Sequence, residues 1–153
     1  MPAQTPIDRV QEALETIAAA LLVEVTVEVE EDEDGLYAEF VGDDVAPLIG
    51  HHGATLDAIQ HLASRIAYQG TSARGHVTVD AGGYRERREE ALEAIADQAA
   101  AAAIRDGRPV PLESMNAAER RVVHEYLKDR HEVETYSEGE EPNRHLVVAP
   151  VVS

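Results

Sequence analysis

Two glycines three residues apart, in Leu48-Ile49-Gly50-His51-His52-Gly53-Ala54-Thr55, constrain this chain more than any other stretch. They follow a short apolar turn and precede an amphipathic helix whose apolar positions are Leu56, Ile59, Leu62 and Ile66. Without Cβ atoms, Gly50 and Gly53 let the backbone come close to a ligand and take angles that other residues resist. The amides that open the next helix would then point over the loop, and a helix N-terminus favours an anion such as phosphate. Two glycines at this spacing also mark ordinary tight turns, so the surrounding elements decide what the loop is.

The elements before the loop read clearly. Thr5 and Pro6 offer an N-cap hydroxyl and a proline for the first helical position, and Ile7, Val10, Leu14, Ile17 and Leu21 recur at helical spacing. Over residues 23–30 the pattern becomes strict alternation, Val23, Val25, Val27 and Val29 against Glu24, Thr26, Glu28 and Glu30, which predicts a half-buried strand. The acidic run 31–35 ends in glycine and predicts a hairpin turn into a second strand over 36–41. Gly42, Asp43 and Asp44 supply a turn and an N-cap for a short helix over 45–49. The helix after the glycines is expected to end near Tyr68, Gln69 and Gly70, with a loop over 71–75 and a third strand over 76–81. The order helix-strand-strand-helix-GxxG-helix-strand resembles a type II KH domain, a three-stranded sheet with helices on one face whose GxxG loop clamps a nucleic-acid backbone.

Gly82 and Gly83 break the chain, and residues 84–105 read as a long alanine-rich helix stopped by Gly107 and Pro109. Residues 109–112 are a short extended piece. Asn116 is placed to cap a helix from 117, with Glu119 in the capping-box position. Val122, Val123, Tyr126 and Leu127 give that helix a buried side, and Tyr126 is expected to pack there. Strands over 133–137 and 145–148 flank the turn 138–143. On the helix from 117, Arg120 and His124 stand four residues apart on one face, Lys128 continues the stripe, and Arg121 flanks it. An arginine fork holds a phosphate bidentately, and an imidazole donates a hydrogen bond or stacks on a base. An isolated Arg-x-x-x-His pair is more often a plain polar pair on an exposed helix face.

The pair is not isolated. Residues 115–124 together with 135–144 closely resemble the R-3-H domain (arginine, three residues, histidine) of the Jag family. Those proteins, also called KhpB, EloR or SpoIIIJ-associated proteins, are bacterial RNA-binding proteins that join a KH domain to an R-3-H domain. Gly83-Tyr84-Arg85-Glu86-Arg87-Arg88 resembles their linking segment, and the resemblance spans about residues 20–150. It implies an α+β fold of two small α/β modules: a type II KH domain with an N-terminal helix over 1–82, and an R-3-H domain over 83–153 that begins with a long, stiff linking helix. The ligand implied is single-stranded RNA, with single-stranded DNA as its chemical neighbour. Contacts would come from Ile49, Gly50, His51, His52, Gly53 and Ala54 in the KH loop, with bases beside Ile49, Leu56 and the strand edge. In the second domain they would come from Arg120, Arg121, His124, Lys128 and Arg144. The resemblance further implies pairing with a small KH-only partner protein or a second copy, and a role in RNA stability, translation, or cell elongation and division. Many members carry an additional N-terminal domain, whereas this sequence begins almost directly at the KH module. His51 and His52 also stand where lysine or arginine is common in such loops, which leaves the clamp to its amides and the helix dipole.

Charge stands against an RNA ligand. Thirty acids face 13 lysines and arginines, a formal net of −17, whereas nucleic-acid binders lean basic. The imbalance is uneven: residues 1–83 carry 3 arginines and 15 acids, and residues 84–153 carry 10 bases and 15 acids. Because fields are screened beyond about 8 Å at physiological salt, a basic patch can persist locally, and the second half is where to expect it. The alternative reading is a protein-interaction module whose acidic KH face has lost RNA binding. An enzyme is the weakest reading, since HExxH, GxSxG and P-loop patterns are all missing; no catalytic residue, cofactor or metal is expected. The chain has no cysteine, no apolar run long enough to span a bilayer and no signal-peptide pattern at its start, so a soluble cytoplasmic protein without membrane insertion is the expectation.

Overall fold

The computed structural model describes residues 2–152, which divide into two compact units between Arg85 and Glu86. In the first unit, α1 (Pro6–Ala20) opens with a complete capping box: the Thr5 hydroxyl accepts from the Asp8 amide and the Asp8 carboxylate from the Thr5 amide, both at 3.1 Å. Strands β1 (Thr26–Glu31) and β2 (Gly35–Val41) pair antiparallel. The chain then crosses over through α2 (Ala46–Ile49), a single 3-10 turn (His51–Gly53) and α3 (Ala54–Ala67) to β3 (His76–Ala81), which pairs parallel to β2. A parallel pair requires such a crossover, because the chain must return to the same end of the sheet.

Alternation along β2 sends Leu36, Ala38 and Phe40 to one face, beside Val27 of β1 and Val77, Val79 and Ala81 of β3. Val10, Leu14 and Ala18 of α1 and Leu56, Ile59, Ala63 and Ala67 of α3 join them in one core. At the centre is Phe40, the chain's only phenylalanine, fully buried opposite Val27. This is the α+β arrangement expected, with the sheet order β1-β2-β3 and helices packed against it.

Local differences from the sequence reading have physical causes. The valine alternation keeps its phase, but pairing starts at Thr26 rather than at residue 23. Residues 21–23 are used to end α1: Leu22 takes φ +58°, and the Leu22 and Val23 amides donate to the Ala19 and Ala18 carbonyls, a Schellman-type termination that here lacks its usual glycine. Leu21, counted on the apolar stripe, is consequently exposed. Asp44 does not cap α2; its N-cap is Val45, with no side-chain bond. Leu62, on the periodic face of α3, is half exposed.

In the second unit, α4 (Tyr84–Asp106) supplies Leu92, Ala96, Ala99, Ala100 and Ala103 to the core, at helical spacing. The small side chains let Met115, Val123 and Leu127 and the strand residues Val133, Leu146 and Val148 come close. Gly107, at φ +64°, ends the helix with its amide bonded to Ala103. The short extended piece grows into β4 (Val110–Ser114), which pairs with β6 (His145–Pro150), and β6 pairs with β5 (Val133–Glu138). Helix α5 (Ala117–Leu127) is capped by Asn116, whose side chain accepts from the Glu119 amide at 2.9 Å. The reciprocal half of a capping box is not made, because the mostly buried Glu119 carboxylate pairs instead with Arg88 at 2.7 Å. Tyr126 packs half-buried as expected, its hydroxyl donating to Asp97 at 3.0 Å. Among the described residues no helix is long and apolar enough to cross a membrane.

The core assignment predicts that Phe40→Ala costs about 3–5 kcal/mol, whereas Leu62→Ala, on the same periodic pattern but half exposed, stays within about 0.5 kcal/mol. Urea unfolding of the intact chain measures both.

Candidate nucleic-acid interface

The GxxG loop is built from backbone angles that only glycine accepts readily. Gly50 sits at φ +71°, ψ −170°, a region essentially restricted to glycine. A Cβ there would lie 2.2 Å from the Thr55 hydroxyl oxygen. Gly53, at φ +83° and ψ 9°, is the left-handed N-cap of α3, and a Cβ on it would lie 2.9 Å from the Tyr84 ring. Between them His52 is left-handed too, at φ +51°, and its ring stacks on that of His51 with centroids 3.9 Å apart. No side chain caps α3, so its first-turn amides have neither a capping side chain nor an intrahelical carbonyl to reach; the Ala54 amide turns back to His51 O.

Gly50, His51 and Ala54 are exposed, Ile49 and His52 half-buried, and Gly53 buried. Leu56, expected beside the bases, is fully buried in the core and cannot floor a groove. Next to the loop the structure brings together residues that sequence reasoning did not single out. The Arg85 guanidinium donates to Asp57 (2.9 Å) and Gln60 (3.0 Å) on α3 and to the Val79 carbonyl on β3 (2.8 Å).

In the second unit, α5 presents Arg120, Arg121 and His124 toward β5, but not as one uniform stripe. Arg120 is buried, with its guanidinium donating to the Met115 and Arg144 carbonyls and to the Glu141 carboxylate at 2.6 Å. It ties the entry of α5 to the β5–β6 turn. Four residues on, His124 is exposed and its Nδ1 is hydrogen-bonded to the Thr135 hydroxyl. Arg121 is exposed and has no hydrogen-bonded or ion-paired partner among the described residues. Lys128 lies past the end of α5 and pairs with Glu125 at 2.9 Å. Arg144 donates to the Gly139 carbonyl at 2.9 Å within the turn.

Arg120, Arg121 and His124 line an open cavity of about 410 Å³ with Ala117, Thr135, Tyr136, Ser137 and Leu146. Lys128 and Arg144 are not on it. Thr135 and Ser137 are not singled out by sequence because the signal is topological: β5 runs beside α5. Tyr136, open to packing or stacking on sequence alone, is half exposed and lines the cavity with them. The site therefore combines the exposed Arg121 guanidinium, an imidazole bonded to the Thr135 hydroxyl, the Ser137 hydroxyl and a half-exposed tyrosine. That is the chemistry of a phosphate beside a stacked base.

Comparison with known proteins matches both halves. A family model of the KhpA/KhpB KH domain covers residues 9–79, and one of the R-3-H domain covers residues 90–150. The chain is 40% identical over 144 residues to the RNA-binding protein KhpB of Clostridium symbiosum, covering 93% of this chain and 65% of that protein. Against the RNA-binding protein KhpB of Bacillus subtilis it is 35% identical over 148 residues, covering 94% and 71%. Against that of Streptococcus pneumoniae it is 31% identical over 135 residues, covering 88% and 41%. The chain thus spans between about two-fifths and about seven-tenths of the length of these relatives.

The two neighbouring arginines of α5 should behave differently. Arg120→Met, which strands the carbonyls and carboxylate it serves, is expected to cost about 1–3 kcal/mol of stability. Arg121→Met, at an exposed unpaired position, should change it by less than about 0.5 kcal/mol. Urea unfolding separates the two roles.

Proposed function

The chain belongs to the KhpB family, and from that premise we propose that it binds single-stranded RNA and acts by binding alone, without catalysis. The observation that carries this reading is the convergence of Arg121, His124, Thr135, Tyr136 and Ser137 on one open cavity. In this reading a phosphate sits between Arg121 and His124, and a base stacks on Tyr136. Arg120 holds the platform from below and does not grip the strand itself. Lys128, paired with Glu125, and Arg144, bonded within the turn, contribute positive charge from outside the cavity.

In the first unit the strand passes over residues 50–53, its phosphates facing the first-turn amides of α3, with Ile49, His51, His52 and Ala54 bordering it and bases turned toward the edge of β3. Binding at each site is weak, and joining two sites on one chain raises avidity through effective concentration. A small KH-only protein or a second copy as partner, a cytoplasmic setting, and a role in RNA stability, translation, or cell elongation and division belong to the same proposal. The acidic first unit, 15 acids against 3 arginines over residues 1–83, favours one rival: a KH module that docks protein instead.

Fluorescence anisotropy with a labelled single-stranded RNA pool tests the proposal. His51→Asp/His52→Asp puts charge into the loop without disturbing its glycines, and Arg121→Ala/His124→Ala strips the second site. Both are expected to weaken binding. Loss of the Arg121 contact should also flatten the log-affinity against log-salt slope by about 0.7, the share of one phosphate on a single strand. If folded wild type retains no RNA at low salt, the proposal fails and the protein-docking reading takes its place.

A further inference from the structure

The outer edge of β3 is covered by the chain's own side chains. β3 is an edge strand, paired only to β2. At Val79 both outward backbone groups are taken: the amide donates to Gln60 Oε1 at 2.9 Å, and the carbonyl accepts from Arg85 Nε at 2.8 Å. Arg85 is anchored in turn by Gln60 Oε1 and by Asp57. Its placement is set by the backbone. Gly82 and Gly83 are both left-handed, at φ +55° and +69°, and the buried Asp80 carboxylate accepts from the Arg85 amide at 3.2 Å. Just before it, the Tyr84 ring lies against Gly53. The segment Tyr84-Arg85 therefore runs from the GxxG loop to the strand edge, across the surface where the proposed function turns RNA bases.

Together Gln60 and Arg85 offer Val79 one acceptor and one donor side by side. An adenine edge, with a ring-nitrogen acceptor beside an amino donor, offers a backbone residue the same pair. Resting on the RNA-binding reading above, we propose that Gln60 and Arg85 stand in for a base on the edge of β3, so that the free protein keeps its first RNA site closed and a strand engages it only by displacing Arg85. The clasp is displaceable: the Arg85 and Asp57 side chains are 31% and 46% exposed, and ion pairs exposed to this degree hold weakly. A site that is closed most of the time binds with an affinity reduced by its open fraction.

The experiment compares single-stranded RNA binding by the intact wild-type chain and by Arg85→Met. The substitution keeps the stem's length, removes the donor and deletes a positive charge. The clasp predicts tighter binding in spite of the lost charge, up to about tenfold if the open form is about one-tenth populated, and predicts that His51→Asp/His52→Asp abolishes the gain. Unchanged or weaker binding by folded Arg85→Met, with wild type binding RNA, overturns the clasp and leaves the RNA-binding reading standing. No binding by either protein overturns both. Should Arg85→Met not fold, the same criterion passes to Gln60→Leu, which frees the Val79 amide with no change of charge.

Discussion

Gly50 turns the chain at φ +71° and ψ −170° with Thr55 packed into the space a Cβ would need, and Gly53 turns it again at φ +83° against the Tyr84 ring. These two conformations end α2, start α3 without a capping side chain, and leave His51 exposed at the tip. They also redirect the crossover that makes β3 parallel to β2 and delivers Leu56, Ile59, Ala63 and Ala67 to the core. Loop geometry and fold are thus one constraint. Placing aspartate on the glycines would test folding as much as charge, which is why the histidines between them are the positions to probe.

The Arg-x-x-x-His pair shows a comparable division of labour. Helical spacing puts Arg120 and His124 on one face, but the face changes character along the helix. Near the N-terminus of α5 it is roofed by Met115 and the turn carrying Glu141 and Arg144; one turn later it opens beside β5. Arg120 is therefore a buried fastener with three acceptors, and His124 is the exposed group. Arg121, the flanking residue, is exposed and makes no hydrogen bond or ion pair among the described residues beyond a through-space attraction to Glu125.

Periodicity made the elements legible. Valine alternation, the Thr5-Pro6 start, the glycines and the alanine spacing of α4 each express a local preference that tertiary packing reinforces. What escaped reading depends on residues far apart in sequence. Nothing local says that Glu119 will prefer Arg88 to its own helix end, that Leu56 lies too deep to meet a ligand, or that Arg85 reaches back to Asp57 and Val79. Termination of α1 at Leu22 was hidden for another reason: a left-handed leucine goes against propensity, and only the surrounding bonds reveal it. Thr135 and Ser137 joined the site through sheet topology, which their own sequence does not encode.

The acidic balance of the first 83 residues remains the strongest physical argument against an RNA ligand, and screening answers it only if the contacts are local. A residue-by-residue titration of the intact, isotope-labelled chain with single-stranded RNA, followed through its amide resonances, tests that most directly. The account predicts shifts at residues 50–54 and at Arg121, His124 and Tyr136, with the acidic hairpin turn at 31–35 unmoved. Shifts confined to other surfaces, or none in a folded chain at low salt, would contradict it.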